Sequence, residues 1–209
     1  NMLGAEQSGF IADLGYETYQ KILEEAVDEL KSDEFADLYA DSDDGKRDSG
    51  REYVRETYIE SDLELMFPPT YIPNDSERVS LYRELDKMEE ERDILAFTER
   101  LKDRFGKIPK EGKELIRIVR LRRMAKKLGM EKVVLKKGQM NIILISNSES
   151  PYYQSEAFDK LLAFIQKHPR ECNLRDQNGK RSIVIKNVRT VETACMLLEE
   201  IEKTKTSHE

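Results

Sequence analysis

The sequence predicts an α+β fold: a helical N-terminal segment and a three-helix run, followed by a ββαββα unit with a small antiparallel sheet. Three observations predict it. Between residues 74 and 129 apolar side chains recur at spacings of three and four, the period of one helix face. After Gly129 the apolar residues gather into short β-branched clusters, Val133-Val134-Leu135, Ile142-Ile143-Leu144-Ile145 and Ile183-Val184-Ile185. Lys137-Gly138 and Asn178-Gly179 supply turn residues between clusters, where a hairpin needs positive φ.

Taken in order, residues 1–31 open on the glycine-punctuated segment Leu3-Gly4-Ala5-Glu6-Gln7-Ser8-Gly9-Phe10 and pass into a helical pattern of Tyr16, Tyr19, Ile22, Leu23, Ala26 and Leu30. The chain begins inside this motif at Asn1, so it is expected to be a piece of a longer protein. Residues 32–60, with the acidic run Asp41-Ser42-Asp43-Asp44-Gly45, offer almost nothing to bury and read as a solvated, flexible linker. The domain proper is expected from 61 to 209. Its first run, Leu63-Glu64-Leu65-Met66-Phe67, ends at Pro68-Pro69 and suits an edge strand or a turn. Asn74 is placed to cap the first helix, with Glu77 three residues on to close a capping box ahead of Leu81, Leu85 and Met88. Ile94, Phe97, Leu101 and Phe105 form the inward face of the second helix, which Gly106 stops, and Pro109 opens the third, lined by Ile118, Leu121, Ala125 and Leu128. Beyond the first hairpin a helix over about 155–167 carries Phe158, Leu161, Leu162 and Ile165 inward. Thr190 caps the last, with Val191, Cys195, Leu198 and Ile201.

Composition narrows the function classes. The 209 residues carry a net charge of -7, and 37% of them are charged. Between Lys31 and Glu64 twelve acidic residues face five basic ones, which accounts for the whole imbalance and leaves the rest neutral. That argues against a chain devoted to coating nucleic acid. The two cysteines, Cys172 and Cys195, lack the paired spacing of a zinc site and read as buried thiols. No run of about 18 apolar residues and no basic-then-apolar leader is present, so the expected setting is the cytoplasm, with no membrane partner. No phosphate-binding loop or histidine constellation appears; His168 falls at a helix end and His208 in the tail, so the region is expected not to be an enzyme.

Two charged groupings remain. Lys113, Arg117, Arg120, Arg123 and Lys127 are spaced four, three, three and four apart and form a basic stripe on one helix. It is either a face satisfied by solvent and by acidic residues of the same domain, or an accessory nucleic-acid contact whose affinity would fall with salt. Interleaved aromatics for base stacking are missing. Glu99 and Asp103 lie four apart on the helix side away from Ile94, Phe97 and Leu101. They are either an exposed acidic pair or a dock for a partner's arginines through bidentate contacts.

In combination, Leu3 to Ile11 with Gly15-Tyr16-Glu17-Thr18-Tyr19 resembles the segment that closes the motor of bacterial transcription-repair coupling factors, and Gln7-Ser8-Gly9 is similar to the translocation motif shared with the RecG helicase. Tyr71-Ile72-Pro73-Asn74 with Arg78 and Tyr82, then Asp103-Arg104-Phe105-Gly106 with Pro109, then Leu121-Arg122 before Ala125 follow in the family's order. The resemblance covers most of residues 3–145. It implies that residues 1–31 are a motor remnant, in which Gln7, Ser8 and Gly9 would couple ATP hydrolysis to strand movement. Residues 61–209 would then be the non-catalytic, autoinhibitory C-terminal domain of an ATP-dependent DNA translocase that displaces stalled RNA polymerase and recruits nucleotide excision repair. The implied partner is the UvrB-like N-terminal module of the same protein, whose UvrA-binding surface the domain masks; UvrA, RNA polymerase and DNA are reached only through the parent. No cofactor is implied for this region, ATP and magnesium belonging to the parent motor. By the same resemblance the clamp residues lie on the helix before Asp103-Arg104-Phe105-Gly106: Asp103 matches, Arg100 stands where the family carries glutamate, and Glu99 lies one helical step, about 100°, from Arg100.

Overall fold

Within the three-helix run a side chain caps the first helix, while the second and third begin after Glu90 and Pro109 with no side-chain cap hydrogen bond. In the computed structural model, which describes residues 53–206, the helices are α1 (Asp75–Asp86), α2 (Glu91–Phe105) and α3 (Lys110–Lys127). The Asn74 side chain accepts the Glu77 amide at 2.9 Å, as an N-cap should. The reciprocal half of the expected capping box is replaced, because the Glu77 carboxylate pairs with Arg104 of α2 and so joins two helices instead of closing one. Pro109 takes the cap position of α3, so the helix begins one residue later than its proline. The motif at Gln7, Ser8 and Gly9, the helical pattern of residues 16–30 and residues 32–52 of the acidic linker lie outside the described residues.

After Gly129 the chain runs through β2 (Met130–Lys136), β3 (Gln139–Leu144), a 3-10 turn (Pro151–Gln154), α4 (Glu156–Lys167), β4 (Cys172–Gln177), β5 (Lys180–Lys186) and α5 (Val191–Glu202). Both expected hairpins are present; Lys137 and Asn178 adopt positive φ of 55° and 54°, the left-handed backbone such tight turns require. The sheet differs from the expectation in one respect. A further strand, β1 (Tyr58–Ser61), pairs parallel to β2, giving the order β1-β2-β3-β5-β4 and a mixed sheet of five strands among the described residues. β1 falls across the boundary expected at residue 61 and within the stretch read as linker. Its signal is masked by charge: only Ile59 and Ser61 turn inward, while Glu60 on the other face pairs with Lys132 and Lys136. Val54 and Thr57 are also buried, the Thr57 hydroxyl donating to the Met130 carbonyl at 2.7 Å. Leu63–Phe67, the expected edge strand or turn, is irregular; Leu65 and Phe67 are buried, and the Phe67 amide donates to the Tyr82 hydroxyl at 3.0 Å instead of to a strand.

One face of the sheet carries Ile59, Val133, Leu135, Met140, Ile142, Ile183, Ile185 and Cys172 in facing register, and these belong to one core with the inner faces of the helices. Helix α3 is the spine of the molecule: it packs on α5, touches α1 and α2, and rests on β1 and β2. At about 25 cal/mol per Å² of apolar surface removed from water, such a continuous core is the main stabilising term. No helix among the described residues is long and apolar enough to cross a membrane.

Candidate functional site: the outer face of α2

Helix α2 buries Ile94, Phe97 and Leu101 and turns the opposite side to solvent. At 100° per residue, Arg92, Glu99 and Asp103 fall within about 40° of one another on that outer side, with Leu95 on one flank and Arg100 on the other. Leu95 is 52% exposed. The Glu99 carboxylate receives Lys102 Nζ at 3.3 Å, an exposed pair of small energetic weight. Arg100 reaches across to Glu84 of α1 and lies over the Phe97 ring at 5.7 Å. Its positive charge is thereby occupied by a carboxylate sixteen residues away, a partner that no local spacing signals.

The residues carrying the family resemblance have mostly architectural roles. The Tyr71 hydroxyl reaches the Gly106 and Leu101 carbonyls at 2.8 and 3.2 Å, tying the loop before α1 to the end of α2. Arg78, 1% exposed, donates to the Ile72 carbonyl and to Asp75, both at 2.5 Å. Arg104 pairs with Glu77 and stacks over Phe105, Phe105 meets Tyr71, and Gly106 ends the helix with φ of 86°. Asp103 differs from its three neighbours: it is exposed and makes no hydrogen bond or ion pair among the described residues.

The basic stripe on α3 is largely consumed inside the domain. Arg120 Nε and Arg123 Nη2 both bind Glu91, at 2.8 and 3.3 Å, fastening α3 to the start of α2. Arg117 faces Glu114 at 3.4 Å and Glu192 at 3.8 Å. Arg122, outside the stripe, clamps the Asp86 side chain and carbonyl at 2.7 and 2.6 Å. Lys113 and Lys127 at the two ends are the exposed members. Of the two readings open for the stripe, the in-domain ion pairs account for its three arginines.

A carboxylate that the charge pattern passes over is Glu114, 7% exposed and set among Leu115, Ile116 and Ile118. Its oxygens accept the amides of Val191 and Glu192, each at 3.1 Å, while Thr190 Oγ1 accepts that of Thr193 at 3.0 Å and the Thr190 carbonyl that of Ala194 at 3.2 Å. The three orphan amides of the first turn of α5, those of Val191, Glu192 and Thr193, are thus satisfied, two of them by a residue from another helix, and the Ala194 bond is the first of the helix's own ladder. An acid four and seven residues ahead of Ile118 and Leu121, on the apolar side of α3, is the one signal the sequence carried for this role. The cysteines are inert by environment: burial pushes the Cys195 thiol up to about 12, and burial likewise raises Cys172. His168 sits against Phe164, its Nδ1 2.9 Å from the Phe164 carbonyl, in a structural role.

Comparison with known proteins agrees with this architecture. Residues 61–155 match the family model described as the TRCF domain. The chain is similar to the transcription-repair-coupling factor of Rickettsia prowazekii (26% identity over 193 residues, 91% of this chain and 15% of the relative). It is also similar to those of Mycobacterium bovis (30% over 133 residues, 64% and 10%) and Escherichia coli (29% over 175 residues, 83% and 14%). It therefore spans 10 to 15% of the length of these relatives. Among solved structures, a crystal structure of the C-terminal domain of transcription-repair coupling factor aligns with a TM-score of 0.57 at 18% identity, covering 74% of this chain and 96% of that one.

Proposed function

We propose, from the premise that this chain belongs to the transcription-repair coupling factor family and has the fold of its C-terminal domain, that it is a non-catalytic autoinhibitory clamp docking through the outer face of α2. Its partner is the UvrB-like N-terminal module of the same protein. Closure hides the surface of that module that recruits UvrA and restrains the ATP-driven motor, and release accompanies engagement of stalled RNA polymerase and movement on DNA.

One observation carries the reading. Within Asp103-Arg104-Phe105-Gly106 three residues brace the helical layer, whereas the Asp103 carboxylate is exposed with no partner among the described residues. A carboxylate that stabilises nothing locally is available to a cation on another surface, and Glu99 on the same side is held only by an exposed lysine pair. Arg100 does not oppose such a dock with a bare positive charge, because Glu84 neutralises it.

The energy required is modest. Masking a site about 100-fold takes roughly 2.7 kcal/mol of preference for the closed state, which a few charged contacts and some apolar burial supply. The test is association between this domain and the matching N-terminal module, followed by calorimetry at low and high salt. Asp103→Lys is expected to weaken it at least tenfold with no change in melting temperature; absence of association by the parent chain, or indifference to Asp103→Lys, overturns the clamp.

A further inference from the structure

The face of the sheet turned away from the helices is not an ordinary polar surface. Strand register places Val134, Asn141 and Val184 in one row across β2, β3 and β5, and Ile143 sits one residue pair along, beside Asn141. None of the three apolar residues belongs to the core or packs against it, although Val184 is only 8% exposed. They surround Asn141, whose Oδ1 is buried without a hydrogen-bond partner. Around this apolar centre, on the same face by register, stand Lys132 and Lys136 of β2, Lys180 and Lys186 of β5 and Arg175 of β4. Glu60 of β1, on the same side, is shared between Lys132 and Lys136, so the five cations outnumber the carboxylates on this face. Lys186 and Arg175 are exposed and make no ion pair among the described residues.

The chain itself holds a segment of the opposite character. Residues 33–44, Asp33-Glu34-Phe35-Ala36-Asp37-Leu38-Tyr39-Ala40-Asp41-Ser42-Asp43-Asp44, contain six acidic side chains, no basic one, and Phe35, Leu38 and Tyr39 at spacings of three and one. Eight residues, 45–52, separate it from Tyr53, which rests against Tyr152 beside the start of β2. Eight residues reach at most about 28 Å. Five strands at about 4.8 Å spacing make a sheet roughly 19 Å across, so the tether spans the face.

We propose that residues 33–44 dock on the open face of this sheet, the apolar side chains covering Val134, Ile143 and Val184 and the carboxylates meeting the lysine and arginine rim. Short apolar spacing with acidic flanks suits a sheet face of this size and sign, and a donor from the segment completes Asn141. The low aromatic content of the face, with Tyr58 at its edge, favours an acidic peptide over nucleic acid, which wants stacking platforms. This surface lies on β2, β3 and β5, apart from α2, and does not depend on the clamp.

The full chain at low micromolar concentration is treated with a zero-length carbodiimide reagent and the cross-links are mapped by mass spectrometry. Cross-links from acids of residues 33–44 are expected at Lys132, Lys136 and Lys186 and to fall to background in the triple variant Phe35→Ser, Leu38→Ser, Tyr39→Ser. In methyl NMR the same variant is expected to shift Val134, Ile143 and Val184 and to leave the core-facing Ile142 and Ile183 in place, which also shows that the domain remains folded. Equal yields at Lys113 and Lys127, or unmoved open-face methyls, overturn the proposal. So do cross-links found only between molecules in a mixture of isotopically labelled and unlabelled chain, which assign the face to a second copy. A DNA oligonucleotide that shifts those methyls while the segment does not overturns it in favour of nucleic acid.

Discussion

Replacing Glu114 by alanine removes the acceptor for two amides at the start of α5 and leaves Arg117 facing only Glu192, at 3.8 Å. The Val191 amide is buried, so it regains no water when its carboxylate is lost. A hydrogen bond to a charged group contributes about 1.5–3 kcal/mol, and an unsatisfied buried donor costs about 1–3 kcal/mol. The Glu192 amide is partly solvated and counts for less. Together with loss of the favourable carboxylate at a helix N-terminus, Glu114→Ala is expected to destabilise by roughly 3 kcal/mol. At about 2–4 °C per kcal/mol for a domain of this size, the melting temperature falls by roughly 6–12 °C. Glu114→Gln keeps one acceptor oxygen but presents its NH₂ to the second amide, so it is expected to cost about 2 kcal/mol, close to the alanine variant despite its near-identical shape. Urea and thermal unfolding monitored by circular dichroism measure both. If both variants stay within about 0.5 kcal/mol of the parent, ordinary for a surface site, the coupling of α3 to α5 through this carboxylate is wrong.

Further outcomes follow from other contacts. Gly129 has φ of 73°, and a Cβ there would lie 2.2 Å from the Tyr152 ring, so Gly129→Ala is expected to cost roughly 2–4 kcal/mol in the same melts, combining left-handed strain with displacement of a fully buried ring. Cys195 should not react with a thiol reagent at pH 8 in the native chain, its thiol being pushed up to about 12, and both cysteines should react once the chain is unfolded in urea; fast native labelling of Cys195 contradicts its burial. Lys132, with further help from Lys136, holds the Glu60 carboxyl below its ordinary value against the opposing effect of burial. A depressed carboxyl contributes stability above its unfolded pKa and loses it as pH falls through the folded one. The difference in unfolding free energy between the parent and Glu60→Gln should therefore be present at pH 7, begin to shrink as pH falls past the ordinary glutamate value of about 4.3, and vanish only below the depressed folded value. A difference that grows on acidification refutes the pairing.

The helical run and the two hairpins could be read from the chain because their signals are local. Apolar spacing, the Asn74 and Thr190 caps, and the positive-φ turns at Lys137-Gly138 and Asn178-Gly179 each act over a few residues. β1 was hidden, since a short edge strand with Glu60 outward and two residues inward has the composition of a linker until β2 lies beside it. The outer position of Glu99 and Asp103 followed from helical period alone. The partner of Arg100 did not, because Glu84 meets it across the packing of α1 on α2.

By itself, then, the sequence determined the order and type of most elements, the inward face of each helix and the acidic character of the outer side of α2, all properties with a range of one helical turn or one strand pair. Only the tertiary structure decided which charges are spent. It bound Arg117, Arg120 and Arg123 to acids of the domain, assigned Glu114 to the amides of α5, neutralised Arg100 with Glu84, and left Asp103 without a partner among the described residues. The physical reason is that a charge acts over a few ångströms of space, whereas its partner can stand 16 to 78 residues away along the chain.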